Sequence, residues 1–591
     1  MQTANAVTTM SDMLVAQVAA LQAELEKERA RNEALTKERD HLRSSYDRLR
    51  QELELLRRRI FVAKAERIDS GQLELEFAQK LRALDELAGL IGNPDGPQPP
   101  ASGSQPNVGT GTGGGGSHAG GQPPTPKPRG RRDLSQANLP EERVEVSDPV
   151  FDALVDEGKA ERIGFEESYK LGWHRGGHRR VVIARVKYRV VEKSGESTIE
   201  TAPTPAELLP RSLAAPSMLA HIIDEKHCQG MPLHRIEDRF RRDGTPIDRG
   251  TMSRWLQEVG STLGAAIVEA ARAEALATAF CLSTDATGVA VQPISTGDGK
   301  RQPCKKSHFF VQIADRDHVF FEFAPRETSA KVAEMFRGFK GYVQADAKSV
   351  YDILYRERPS DDSVGAPKEA PCLEVACWSH GRRGFWEAAI TLKSEIAREG
   401  LFRIGRMFML EGGWRSKPPD EIKRLRNTHL RPLVDDFFAW AAIEYAKVRD
   451  ARGPLRSAFG YVIRQKTALT RFFDDGRLRL ENNASERELR RIATGRKAWL
   501  FVGSNDHGVA AGNLFSLIAS ARLHGLDPEA YLRDVIRVLP HWPKDRNIEL
   551  APKYWAATRL RLDATQLEAE VGPLTVPPKL PPSAEQQSSP S

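Results

Sequence analysis

The sequence predicts a multidomain chain of mixed α and β structure, and three observations carry that prediction. The first is length: 591 residues exceed what one hydrophobic core organises, so three or more domains are expected. The second is a change of hydrophobic period along the chain. A seven-residue repeat gives way to a Gly- and Pro-rich stretch, then to strand-like alternation, then to helical patterns. The third is a pair of apolar runs, CLSTDATGVAV (281–291) and GYVQADAKSVYDILY (341–355), each with an Asp at its end. Far downstream follows the polar stretch ENNASERELRRIATGRKAWLF (481–501).

Composition narrows the class. Hydrophobic residues at 40% and charged residues at 28% suit a soluble protein, and no apolar run approaches the roughly 20 residues of a membrane span. No charged-then-apolar leader opens the chain, so a cytoplasmic location with no membrane partner is expected. Five cysteines form no disulfide framework and fit a reducing compartment. A net charge of +7 permits a nucleic-acid partner without requiring one.

Residues 1–92 are expected to form a leucine-zipper coiled coil and its flank. Leu14, Leu21, Leu35, Leu42, Leu49 and Leu56 share one heptad frame, broken by Glu28. The positions four later are Val18, Leu25, Asn32, Arg39, Tyr46, Leu53 and Ile60. Self-association through this seam is expected over a single solvated helix, with Asn32 setting register. Residues 93–140 form a flexible Gly/Pro-rich linker ending in a basic arm. Lys127, Arg129, Arg131 and Arg132 of that arm suit a DNA minor groove, and the competing possibility is a solvated charge run.

Residues 141–205 alternate as strands do, as in VVIARVKYRVVE (181–192), and are expected to form a small β region. Residues 206–270 are expected to hold a helix-turn-helix. LHRIEDRFRRDG (233–244) ends in a Gly-containing stop, and TPIDRGTMSRWLQEVG (245–260) follows with Asp248 as cap. Ile247, Met252, Trp255, Leu256 and Val259 would face a core. Arg249, Thr251, Ser253 and Arg254 would then begin a recognition helix facing DNA, and the alternative is an ordinary helical hairpin.

Residues 275–535 carry the chemistry. Phe280 to Val291 reads as a strand interrupted at Asp285, residues 307–325 as two strands joined at Asp315–Asp317, and Tyr342 to Ala345 as a fourth ending at Asp346. A helix is expected through Tyr351 and Leu354, then a fifth strand in LEVACWSH (373–380). Three antiparallel strands followed by strand-helix-strand is the order of a ribonuclease H-like mixed α/β catalytic core. That order puts the first and fourth strands side by side, so Asp285 and Asp346 become neighbours. In-line displacement at phosphorus builds charge on attacking and leaving oxygens, and two Mg²⁺ ions about 4 Å apart neutralise it. Such ions take hard carboxylate ligands.

A third carboxylate is sought among Glu481, Glu486 and Glu488. Asn482 or Asn483 as N-cap puts Glu486 in the first helical turn, where the helix dipole favours its anion, with Arg490 on the same face. Arg487, Arg491, Arg496 and Lys497 make a basic surface behind it, suited to a phosphate backbone. Each Asp or Glu alone would ordinarily be a turn or cap residue; their order and the basic helix carry the argument. Residues about 390–475 are expected to be a helical insertion. Residues 536–591 are expected to be a C-terminal segment with a disordered Pro-, Ser- and Gln-rich tail after about 560.

These segments, with RRRIFVAKAERID (57–69), GRRDLSQANLPEERVEV (130–146), CWSHGRRGFWE (377–387) and SLIASARLHGLDPEAYLRDVI (516–536), resemble the insertion sequence 66 family of bacterial transposases, of the DDE class. The resemblance covers most of the chain. It implies a nucleoid-associated bacterial enzyme that binds terminal inverted repeats and catalyses metal-dependent strand cleavage and transfer. Asp285, Asp346 and Glu486 would be the catalytic triad and metal ligands, with two Mg²⁺ and Mn²⁺ as a substitute. Trp378 and His380 match the motif after the second Asp, with His380 assisting. Implied partners are double-stranded DNA at transposon ends and target, a second copy through the zipper, and accessory proteins of the element. The chain departs from the family in having no Cys in 141–200, so zinc is unlikely there and the β region replaces the family's zinc module. AKAERID, QADAKSVYD and ENN also differ from the usual segments without removing a proposed ligand. The alternative function is a catalytically inert DNA-binding, oligomerising protein derived from a transposase.

Overall fold

The computed structural model describes residues 139–579 apart from 175, 192–196, 211, 294–301 and 360–367, together with parts of 24–49 and of 79–83. The basic arm (Lys127, Arg129, Arg131, Arg132) and the zipper residues Leu14, Leu21 and Leu56 lie outside the described residues. The chain divides into two compact units. A core unit comprises Pro124–Cys377 and Glu481–Ser591, and a second unit comprises Met1–Pro123 and Trp378–Leu480.

The core unit begins with a small sheet. β1 (Glu141–Val146) pairs in parallel with β3 (Gly177–Val191), which pairs antiparallel with β2 (Ala160–His174) and β4 (Ser197–Thr201). Helix α1 (Pro149–Asp156) lies between β1 and β2 in sequence, capped by the Asp148 side chain. β3 is the centre because its run of branched residues is buried: Val181, Val182, Ile183 and Val186 are all nearly inaccessible. Helices α2 (Pro216–Ile223), α3 (Leu233–Arg242), α4 (Arg249–Leu263) and α5 (Glu269–Thr278) follow. α3 stops at Gly244, whose φ of +76° is left-handed. The Thr245 N–H then bonds the Phe240 carbonyl at 2.9 Å and the Gly244 N–H bonds that of Arg241 at 3.3 Å, which closes the orphan carbonyls. Asp248 caps α4 by accepting from the Gly250 and Thr251 N–H groups. An aromatic stack of Trp173 on His221, centroids 3.6 Å apart, ties the small sheet to α2.

Next comes a five-stranded mixed sheet of β5 (Cys281–Val291), β6 (Lys305–Ala314), β7 (His318–Ala324), β8 (Tyr342–Gln344) and β9 (Leu373–Val375), with α6 (Ser329–Met335) between β7 and β8. The order is β9-β8-β5-β6-β7. β5, β6 and β7 are antiparallel neighbours, while β8 runs parallel to both β5 and β9. The first and fourth strands are thus hydrogen-bonded, as the strand order requires. One expectation is corrected. β5 is not interrupted at Asp285, which pairs with Val311 inside an unbroken ladder to β6. The helix expected after Asp346 is present as a 3₁₀ helix, Ser349–Tyr355, with Tyr351 and Leu354 buried.

The second unit leaves the core at Trp378 and is helical: α7 (Trp378–Thr391), α8 (Glu395–Gly412), α9 (Pro419–Leu425), α10 (Arg431–Val448), α11 (Pro454–Arg464) and α12 (Lys466–Thr470). It is longer at both ends than the expected 390–475. Phe385, Phe437 and Phe459 interlock at its centre. Arg426 is almost fully buried, paired with Glu411, and donates to the carbonyls of Phe472 and Leu478 at 2.8 Å. Residues 24–29 and 31–39 are helical and exposed, with Leu25 and Leu35 each more than half accessible.

The chain re-enters the core unit as α13 (Asn483–Trp499) and α14 (Asn505–Leu523), then α15 (Pro528–Val538), α16 (Pro552–Arg559) and α17 (Ala564–Glu568). α14 lies along the outer strand β7 on the i, i+4 row Gly508, Gly512, Ser516 and Ser520. The Phe321 and Val319 N–H groups bond the hydroxyls of Ser516 (2.7 Å) and Ser520 (2.9 Å), so an otherwise open edge is covered. The expected disorder after about 560 is also corrected, because the tail is bonded as far as it is described. Glu570 pairs with Arg179 at 2.5 Å, Val571 is buried against the small sheet, and Arg537 holds the Gly572 carbonyl at 2.9 Å. A Pro- and Ser-rich composition hid those few anchors. No described helix is long and apolar enough to cross a membrane.

A Cβ on Gly512 would stand 2.7 Å from the Phe321 carbonyl, which the β-ladder prevents from moving. Overpacking of about 1–3 kcal/mol therefore outweighs the roughly 1 kcal/mol helix-propensity gain of Gly→Ala. Gly512→Ala is expected to lower the melting temperature, whereas Gly412→Ala, with open space around it, is not. A raised melting temperature for Gly512→Ala would refute this account of the edge.

Candidate active site

Register alone brings two aspartates together. The β5–β8 ladder ends at Ser283 opposite Gln344. Two residues further along each strand stand Asp285 and Asp346, so the same register sets them across from one another where the strands part. Asp285 is half-buried, and its carboxyl accepts from the Ala286 N–H at 2.7 Å. Burial pushes its pKa up to about 6, and the charges of Asp346 and Glu486 push in the same direction. Both other expected carboxylates therefore act on Asp285.

Asp346 presents two different oxygens. Oδ2 faces the Lys348 ammonium at 3.5 Å, and Oδ1 is buried without a hydrogen-bond partner among the described residues. Lys348 also reaches Glu327 at 3.3 Å, and Glu327 stands 3.6 Å from His308 Nε2. Sequence reasoning missed Lys348 and Glu327. Lys348 was visible two residues after Asp346, whereas Glu327 arrives only through the fold.

Glu486 is delivered by α13, whose buried stripe Ser485, Leu489 and Ile492 faces the sheet. Both ends of this helix are pinned to β5. At its start the Asn482 side-chain amide donates to the Thr284 carbonyl at 2.8 Å, one residue before Asp285, and its Oδ1 accepts from the Ser485 hydroxyl at 2.8 Å. Near its end the Arg496 guanidinium donates to the Gly288 carbonyl and to Thr287 at 3.3 Å. Two expectations change here. Asn482 stands at the N-cap position but caps nothing with its side chain; it straps the helix to the strand. Arg496, expected to hold DNA, is a strut of the core. Among the competing glutamates, Glu481 accepts from Asn483 at 2.5 Å and Glu488 pairs with Arg491 at 3.2 Å. Arg487 and Lys497 are exposed, and Arg490 is half-buried one turn after Glu486.

Trp378 and His380 belong to the second unit. Trp378 is fully buried there, with Nε1 donating to the Leu469 carbonyl at 2.9 Å and its ring against Phe437 and Phe438. It is core rather than site, because indole burial needs one acceptor and finds it inside that unit. His380 is half-buried in the first turn of α7. Cys377, in the core unit, accepts the Asn482 backbone N–H on its sulfur at 3.1 Å. In the helix-turn-helix segment Arg249 and Arg254 are exposed, Thr251 and Ser253 half-buried, and Arg254 bonds Thr251 at 3.2 Å. Met252, Trp255, Leu256 and Val259 are buried as expected, and Ile247 is half-buried.

The donor set suits a hard divalent cation: only carboxylate oxygens, one of them buried and unpartnered, with one lysine against three acids. No three His, Cys, Asp or Glu side chains among the described residues converge closely enough to hold an ion outright. Mutual repulsion of three carboxylates works against such convergence.

The Asp285 shift gives a signed prediction. Its carboxyl titrates near 6 in the folded chain and near about 3.9 unfolded. The folded state therefore holds this proton more tightly, and stability from this group is lost as pH rises from about 4 to about 6. Asp285→Asn should melt above wild type at pH 8 without divalent cations, and the gap should close by pH 4. A gap independent of pH would show that charge is not its cause.

Comparison with known proteins yields a family model described as transposase IS66 family, matching residues 211–510, and one described as IS66 C-terminal element, matching residues 516–552. Uncharacterized protein y4qI of Sinorhizobium fredii is 27% identical over 446 residues, 73% of this chain and 79% of that protein. Uncharacterized protein y4hP of the same organism is 26% identical over 441 residues, 71% of this chain and 76% of that protein. No solved structure matches.

Proposed function

We propose, starting from the membership of this chain in the IS66 transposase family, that it is a DDE-type enzyme cutting and joining DNA at the ends of an insertion sequence. What supports this reading is the register that sets Asp285 beside Asp346, together with the like charge that Glu486 adds at Asp285. The sheet order β9-β8-β5-β6-β7, with helices after it, supports a ribonuclease H-like core. Asp285, Asp346 and Glu486 would hold Mg²⁺, with Mn²⁺ as a substitute. When bound, the cation supplies charge neutralisation at the phosphorus and a lowered pKa for the attacking hydroxyl.

The chain's own residues divide the remaining work. Lys348 sets its ammonium 3.5 Å from Asp346 Oδ2 and offsets part of the charge gathered there. Asn482 sets the height of α13, and thereby of Glu486, against Asp285. Arg487, Arg490, Arg491 and Lys497 on α13, with Arg249, Thr251, Ser253 and Arg254 on α4, are the groups proposed to hold double-stranded DNA. The basic arm 127–132 extends that set. Water would first be directed at the strand, and the freed 3′-OH would then attack target DNA. His380 is proposed as an assisting group. The heptad helix would join protomers, and the exposure of Leu25 and Leu35 in one chain supports that role.

Strand cleavage and joining on the element's own ends, with Mg²⁺ against EDTA, tests the site. Asp285→Asn, Asp346→Asn and Glu486→Gln should each lower product by roughly 10²-fold or more while retaining end binding. Products surviving in all three variants would remove the triad. Tight binding with no products even from wild type would favour the inert, DNA-binding alternative. For the zipper, sedimentation of a chain lacking residues 1–92 should show a smaller assembly than the full chain. An unchanged mass would exclude the heptad helix as the joint.

A further inference from the structure

We infer that the core unit contains a pocket for one unpaired nucleotide, formed where the start of α4 faces the end of α13; this rests on the proposed DNA partner. The pocket is a cavity of about 570 Å³, within the range of roughly 300–1,000 Å³ typical of small-ligand sites. It is lined by the exposed Arg249 and the half-buried Ser253 and Gln257 of α4, and by His234 of α3. Trp499 and Phe501 also line it, with the buried Phe309 and Phe515.

Its chemistry selects the occupant. No Asp or Glu is among the described residues lining it, while Lys226, Arg249, His234 and His507 are. The Lys226 ammonium sits 5.8 Å from the centroid of the Trp499 ring. A ring with a cation over one face can take a base on its other face and the phosphate at the cation, and the Gln257 and Gln292 amides can meet the base edge. A purely apolar ligand would leave Lys226 and Arg249 unused, and a free anion would leave the rings unused.

The backbone supplies an independent observation. Leu500 has φ 64° and ψ −48°, and the Phe501 N–H bonds the Trp499 carbonyl at 2.8 Å. This is a three-residue γ-turn in its rare, strained form, here on a leucine. The strain is held in place by Val502, whose N–H donates to the Ala290 carbonyl and whose carbonyl accepts from Gln292, both at 2.8 Å. The turn aims two aromatic side chains at one cavity mouth and leaves Leu500 65% and Phe501 40% accessible. Such apolar exposure at the lip of a cationic cavity marks a surface built to be covered.

The placement fits a strand running along α13. From Glu486 to Trp499 the helix advances 13 residues, about 20 Å at about 1.5 Å per residue. That is roughly six nucleotides at about 3.4 Å each. The unpaired nucleotide would therefore lie about six positions from the phosphate beside Glu486.

The test uses the full chain in EDTA, so that cleavage plays no part. A fluorescein-labelled duplex of arbitrary sequence carrying one bulged nucleotide is compared with its fully paired counterpart by anisotropy. Wild type should bind the bulged duplex about ten-fold more tightly, the scale of one base stacked on an aromatic ring. Trp499→Ala and Phe501→Ala should each remove most of that preference, and Trp499→Phe should keep it. Phe501 is exposed enough that its truncation spares the fold. Equal affinity of wild type for both duplexes, or a preference that survives in both alanine variants, would overturn the pocket alone. Binding of neither duplex would overturn the DNA reading with it.

Discussion

Three residue pairs of parallel ladder, Cys281 with Tyr342, Leu282 with Val343 and Ser283 with Gln344, are the constraint on which the site depends. A one-residue slip in this register would turn every side chain of β8 to the other face of the sheet and carry Asp346 away from Asp285. The ladder is short, so its register is enforced by burial. Leu282 and Val343 are almost wholly inaccessible, and the neighbouring β5–β6 pairing holds β5 rigidly over ten positions. Antiparallel pairing thus supplies stiffness, and parallel pairing supplies the meeting of charges.

Gathering acids is costly, and the structure shows where the opposing terms come from. Asp285 is lifted by burial and by two like charges. Lys348 opposes this from one side. Neutral hydrogen bonds do the rest: Asn482 to the Thr284 carbonyl and Ser485 to Asn482 hold α13 against β5 without adding charge beside the carboxylates. The nearer arginine is spent differently, since Arg496 is tied to the Gly288 carbonyl. The inner face of α13 is thus fastened by one amide, one guanidinium and aliphatic packing, while Arg487 and Lys497 stay exposed.

The long excursion between Asp346 and Glu486 is tolerated because its exit and return are adjacent. Cys377 ends one core segment and Glu481 begins the next, and the Cys377 sulfur accepts the Asn482 N–H. Loop-closure entropy grows only slowly with length, so a separate helical unit with its own aromatic core can occupy the gap without loosening the site. Buried Arg426 plays the corresponding part inside that unit, gathering carbonyls from the segment that leads back to the core.

Much of this was legible in the residues themselves. The Gly244 stop, the Asp248 cap and the buried face of α4 are local properties, written by period and turn chemistry, whereas the strand order was expected from a known arrangement. The three carboxylates are proposed from their order along the chain, and the family membership follows from long motifs. Local pattern could not show that β5 runs unbroken through Asp285, since an Asp in a strand looks like a stop until its ladder partner is known. Nor could it separate Trp378, Asn482 and Arg496, motif residues with framework roles, from residues that face a substrate. Lys348 and Glu327, and the cavity between α4 and α13, depend on segments far apart in sequence. Sequence by itself determined which residues could carry charge and where elements start and stop; only tertiary structure decided which charges meet, because that depends on register and on what each buried polar group finds as its partner.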